Sequence, residues 1–80
     1  MRECYVVFTE PGRVFESIHR TIDGATVAAC VCGAAVMPDG SAITIEAVKA
    51  ALRLAATISF ECNIEDGANL ARIERHPILV

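Results

Sequence analysis

The six residues Thr57 to Cys62 (TISFEC) alternate without a break. In an extended chain Ile58, Phe60 and Cys62 point one way, and Thr57, Ser59 and Glu61 the other. This is the pattern of a strand buried on one side, so the sheet that holds it has one covered face. Residues 45–55 supply an amphipathic cover. Ile45, Val48, Leu52 and Ala55 recur at helical spacing, Glu46, Lys49 and Arg53 face water, and Leu54 lies off the stripe.

The remaining segments are read around this pair. Cys4 to Thr9 (CYVVFT) is β-branched and aromatic, as a strand prefers. Glu10-Pro11-Gly12 breaks it, and proline is compatible with a first helical turn. Val14, Phe15, Ile18 and Ile22 then predict a first helix, with Glu16 and Arg20 on its wet side and Asp23-Gly24 as its stop. Thr26 to Val31 reads as a second strand, which Gly33 to Met37 continues or follows with another. Pro38-Asp39-Gly40-Ser41 is a turn, after which Ser41 or Thr44 caps the next helix. Asp66 is placed to cap a short last helix carrying Leu70 and Ile73, which Pro77 stops ahead of the apolar tail Ile78–Val80. The expected architecture is a single α+β domain over residues 1–80. It is an open-faced β-sandwich, a mostly antiparallel sheet with helices on one face.

Charge and hydropathy narrow the classes of function. Seven Lys and Arg against ten Asp and Glu give a formal net charge of −3. No concentrated basic face for nucleic acid or an anionic membrane is expected from that balance. The longest uncharged run, Gly24 to Pro38, has 15 residues, short of the roughly 20 that span a bilayer. Only six uncharged residues separate Glu3 from Glu10, too few for a secretory signal. A cytoplasmic protein with four reduced cysteines is the expectation.

Three places could carry chemistry. If Cys30-Val31-Cys32 is part of a strand, both sulfurs share a face, as a soft-metal site would use. A lone C-x-C pair is weak evidence for that, and the favoured reading is cysteine as a small core hydrophobe. His19 is a candidate phosphoryl acceptor near the end of the first helix, where His and Arg also complement the helix dipole. Ser41 follows Asp39-Gly40 and precedes a helix, so a phosphate on it would meet free amides. The chain has no G-x-x-x-x-G-K-[ST] or G-x-G-x-x-G motif, and neither histidine has a recognisable triad partner. Neither an enzyme nor a cofactor is expected.

Several segments together resemble the HPr phosphocarrier family over nearly the whole chain. They are Tyr5-Val6-Val7-Phe8, the stripe Val14, Phe15 and Ile18, Cys32-Gly33-Ala34-Ala35-Val36, Asp39-Gly40-Ser41-Ala42-Ile43, Thr57-Ile58-Ser59-Phe60 and Glu65-Asp66. The resemblance implies a phosphotransferase-related or regulatory protein that acts through protein contacts. By position Ser41 matches the family's regulatory serine. The loop where the family keeps its phosphorylated histidine reads Glu10-Pro11-Gly12-Arg13 here, which leaves Arg13 as a phosphate contact and no imidazole. The implied partners are phosphotransferase-system components or a regulator docking on the helices.

Thr9-Glu10-Pro11, Ala28-Ala29-Cys30-Val31 and His76-Pro77 echo, in order, short motifs of the divalent-cation tolerance family, a trimeric ferredoxin-like fold. That resemblance implies a homo-oligomer in which Cys30, with Cys32, binds a soft metal. An oligomer subunit is also read from Leu54 and the Ile78–Val80 tail as contact surface.

Overall fold

A computed structural model describes residues 2–62 and 70–78. The elements are β1 (Arg2–Glu10), β2 (Val14–His19), α1 (Ile22–Val31), β3 (Ala34–Val36), α2 (Ile45–Leu54), β4 (Thr57–Cys62) and β5 (Leu70–Ile78). The five strands form one sheet in the order β2-β1-β5-β4-β3, and every neighbouring pair is antiparallel. The protein is therefore an α+β domain with an antiparallel sheet, as the alternation at Thr57–Cys62 implied.

The segment expected to be the first helix is instead β2. Gly12 and Arg13 both take positive φ, at 90° and 50°. These turn the chain back on itself, and Val14 to His19 pairs with β1. The helical spacing of Phe15 and Ile18 has a different cause. Phe8 pairs with Phe15, Val7 with Ser17 and Val6 with Ile18, so Glu16 is an extra residue in β2. A bulge of this kind places two residues against one. It turns a spacing of two on β1 into a spacing of three on β2.

The expected strand Thr26–Val31 is instead the body of α1. Thr21 caps this helix, its Oγ1 accepting from the Gly24 amide at 3.1 Å. Alanines at 25, 28 and 29 favour helix intrinsically. Ala25 and Ala29 are fully buried, and their small size lets the helix lie close to the sheet. An added Cβ on Gly24 would stand 3.2 Å from His19 Nδ1, which shows how near α1 comes to β2.

The second helix forms as its stripe predicted. Val48 and Leu52 are buried, Ile45 is half-buried and Leu54 is 91% exposed, whereas Ala55 lies just past the helix end and is exposed. The cap is Thr44, whose Oγ1 accepts from the Ala47 amide at 3.1 Å. Residues 70–76, expected as a helix, belong to β5. Ala71 and Ile73 are buried and pair with Phe60 and Ile58 of β4, while Arg72, Glu74 and His76 alternate with them on the other face. Pro77 lies opposite Glu3 of β1, beyond the stretch of β5 that β4 covers, where a missing amide is tolerated. The expected cap Asp66 and the tail residues Leu79 and Val80 lie outside the described residues.

One face of the sheet carries the core. Val7 of β1, Ala71 and Ile73 of β5, and Ile58 and Phe60 of β4 pack with Ala25 and Ala29 of α1 and Val48 and Leu52 of α2. Phe60 is fully buried and is the largest side chain in this cluster. Among the described residues, no helix covers the opposite face. That face is where the unusual side-chain geometry lies.

Candidate interaction face

The uncovered face follows from strand register. Cys4, Val6, Phe8 and Glu10 of β1 stand beside His76, Glu74, Arg72 and Leu70 of β5. On the other flank of β1, Val6 meets Ile18 and Phe8 meets Phe15 of β2. The Phe8 and Phe15 rings meet edge to face, with centroids 6.1 Å apart. Among the described residues β2 has no further strand beyond it, and Phe15 and Ile18 are 58% and 60% exposed. An apolar margin therefore runs along a free strand edge.

The middle of the face is charged. The positive φ at Arg13 brings its side chain back across β1, so that the guanidinium sits 4.2 Å from the Phe8 ring centroid. It then grips Glu74 at two points. Nη1 donates to Oε2 at 2.6 Å and Nη2 to Oε1 at 2.9 Å. His76 Nε2 lies 2.9 Å from Glu74 Oε1. The hydrogen bonds from Arg13 are the main cause that holds the Glu74 carboxyl down at about 2, and His76 adds to it. Partial burial opposes this shift. Arg72 is held similarly, its Nε donating to Ser59 Oγ at 3.2 Å and its Nη1 lying 3.7 Å from Glu10 Oε1.

The side chains singled out from sequence are scattered. Arg13 is on this face, with its guanidinium already engaged by Glu74. His19 ends β2 and stands beside the first turn of α1, not in the last turn of a helix. It points toward the covered side, where Ser17 Oγ lies 2.7 Å from its Nε2 and α1 packs over its Nδ1. A hydroxyl beside an imidazole is the start of a nucleophile–base pair. Among the described residues, however, no carboxylate bonds the other ring nitrogen to orient it.

Ser41 lies in the loop before α2 and does not cap it. Its amide and its hydroxyl both donate to Asp39 Oδ1, at 2.9 Å and 2.6 Å. These bonds, the hydroxyl's first, hold the Asp39 carboxyl below its usual range. A phosphate on Ser41 would lose the hydroxyl donor and stand against Asp39, with Thr44 already occupying the helix start.

The cysteines do not form the strand pair expected. Cys30 is on α1 and Cys32 ends it, and residues two apart on a helix do not face each other. Cys30 is exposed, and Cys32 is half-buried, with its thiol pushed up by burial and secondarily by the Glu16 carboxylate. Cys4, Cys30 and Cys32 are free thiols, and among the described residues no three His, Cys, Asp or Glu side chains gather as a metal site.

Sequence reasoning missed Glu74, because its partners Arg13 and His76 meet it only through sheet register. The one signal for the uncovered face was the polar set Thr57, Ser59 and Glu61 on β4. No helix among the described residues is long and apolar enough to cross a membrane. No family model matches this chain, and comparison with curated proteins and with solved structures finds no significant match.

Proposed function

We propose that this protein is a protein-binding module, not a catalyst, and that its contact surface is the helix-free sheet face together with the β2 edge. The observation that carries this reading is the exposure of Phe15 and Ile18 on the edge strand β2, beside the Arg13–Phe8 stack. Aromatic side chains and arginine anchor protein interfaces. A free strand also offers a row of backbone donors and acceptors to an extended partner segment.

The test is site-directed photo-crosslinking in cells that express the chain. A photoreactive phenylalanine analogue at position 15 is compared with the same analogue at position 46, on the exposed side of α2. A discrete crosslinked protein is expected from position 15 alone. Equal labelling from both positions removes the reading.

The narrower form of the proposal is an HPr-like regulator of the phosphotransferase system, with an open-faced sandwich of that kind. Its support is the resemblance across Tyr5–Phe8, Asp39–Ile43 and Thr57–Phe60. Incubation with phosphoenolpyruvate and the general phosphotransferase enzyme, followed by mass spectrometry, tests it at His19. Kinase treatment tests it at Ser41. The alternative, a metal-binding trimer, rests on the exposed Cys30 thiol. Native mass spectrometry of the protein and of Cys30→Ser in the presence of zinc or copper decides that case.

A further inference from the structure

On the covered side, a cleft of about 260 Å³ opens where the two helices meet one end of the sheet. Glu3 and Tyr5 reach it from β1, Arg75 from β5, Ile22 from α1, and Lys49, Leu52 and Arg53 from α2. Three of the chain's seven Lys and Arg residues therefore surround one opening, against a single lining carboxylate, in a protein whose formal net charge is −3. Such a concentration inside an acidic chain is a local positive field in a concave site.

One donor is fixed in place, and all three are incompletely used. Arg75 Nη1 donates to the Leu52 carbonyl oxygen, and its Nε lies 3.2 Å from Glu3 Oε2. That holds the guanidinium in position while Nη2 has no partner among the described residues. Lys49 Nζ is only loosely held, 3.5 Å from Asp23 Oδ1. Arg53, four residues further along the same helix face, has no ion pair or side-chain hydrogen bond among the described residues, and neither has the Tyr5 hydroxyl. Ile22, Leu52 and the Tyr5 ring supply apolar lining beside these donors.

We propose that this cleft binds a small phosphomonoester. The dianion is held by Arg53, Lys49 and the free Nη2 of Arg75, and the organic part rests on Ile22, Leu52 and Tyr5. A planar guanidinium with a free nitrogen suits a phosphoryl group with several acceptor oxygens. Lys49, Arg53 and Arg75 against Glu3 and the neighbouring Asp23 leave an excess of one positive charge that favours an anion, and the volume limits the ligand to a small organic body. The site is on the opposite side of the sheet from the interaction face, so the two proposals stand or fall separately.

The experiment is a titration followed by backbone amide NMR at constant ionic strength, with phenyl phosphate as probe and inorganic phosphate and phthalate as comparisons. Phenyl phosphate is expected to shift the amides of Tyr5 and of Lys49 to Arg53 saturably, leaving those of Phe15 and Ile18 unmoved. Inorganic phosphate is expected to bind about tenfold more weakly, having no organic part. Arg53→Gln and Lys49→Gln, both at the helix surface, are each expected to weaken phenyl phosphate about tenfold while the rest of the spectrum stays folded. Phthalate binding as tightly as phenyl phosphate overturns the phosphomonoester class. Absence of saturation, shifts centred elsewhere, or unchanged affinity in both variants overturns the site.

Discussion

Arg13 and Glu74 are 61 positions apart in the chain and meet in a two-point ion pair, Nη1 to Oε2 at 2.6 Å and Nη2 to Oε1 at 2.9 Å. The pair ties the β1–β2 turn to β5 across the whole width of β1. It also clamps Arg13 over Phe8, so the shape of the uncovered face depends on the ionisation of one carboxylate.

That dependence gives a pH signature. The Glu74 carboxyl lies at about 2 in the folded protein, below the 4.5 of an ordinary glutamate. Its folded value is depressed, so the stabilisation is present above about 4.5 and lost as pH falls toward about 2. Arg13 is half exposed, so solvent screening keeps the contribution modest. Glu74→Gln is expected to lower the urea midpoint at pH 7, with the difference from wild type shrinking between pH 4.5 and 2. A constant difference over that range would show that the pair does not act through its charge.

Thr44 and Ser41 are predicted to separate cleanly. Thr44→Ala removes the cap that accepts from the Ala47 amide and costs about 1 kcal/mol. Ser41→Ala loses only exposed bonds to Asp39 and costs a few tenths of that, on the order of 0.3 kcal/mol. Chemical denaturation of the two variants measures both. Equal losses would contradict the assignment of Thr44 as the cap.

Gly24 and His19 are predicted to be coupled. Alanine at 24 favours the helix by up to about 1 kcal/mol, but its Cβ would stand 3.2 Å from His19 Nδ1 and 3.3 Å from the capping Thr21 Oγ1. The histidine is held by Ser17 and has little freedom to yield. Gly24→Ala is therefore expected to destabilise the wild type and to stabilise a His19→Ala background. A double-mutant cycle in denaturant reads the difference, and additive effects would rule out the contact.

Phe60 is the keystone of the covered face. It is fully buried among residues of β4, β5 and both helices. Phe60→Ala is expected to cost about 3–5 kcal/mol, a large share of the roughly 5–10 kcal/mol that holds a domain this small. Loss of a cooperative thermal transition is the expected result. Phe15→Ser, on the exposed margin, is expected to leave the transition within a few degrees of wild type. Similar losses in the two variants would contradict the assignment of the faces.

These contrasts also explain what could be read from the amino-acid order. β4 and α2 were legible because each shows one buried side and one wet side at its own period. β2 was not, because the extra residue Glu16 gives Phe15 and Ile18 the spacing of a helix. The helix α1 was hidden by exposed Val27 and Val31, which blur its polar side and read as strand. β5 was hidden by Arg72, Glu74 and His76, whose charges interrupt the apolar positions at 71 and 73. Arg13 could be picked out as a cation in a turn, but its partner depended on the pairing of distant strands.

The two rims of the sheet differ in a way that bears on assembly. At one rim β3 has three residues and an irregular register with β4, while at the other β2 has six. Among the described residues, strand addition between molecules thus has a single address. Two copies joined there would leave only the stunted rims outward, so such joining closes at a pair and cannot propagate into a filament.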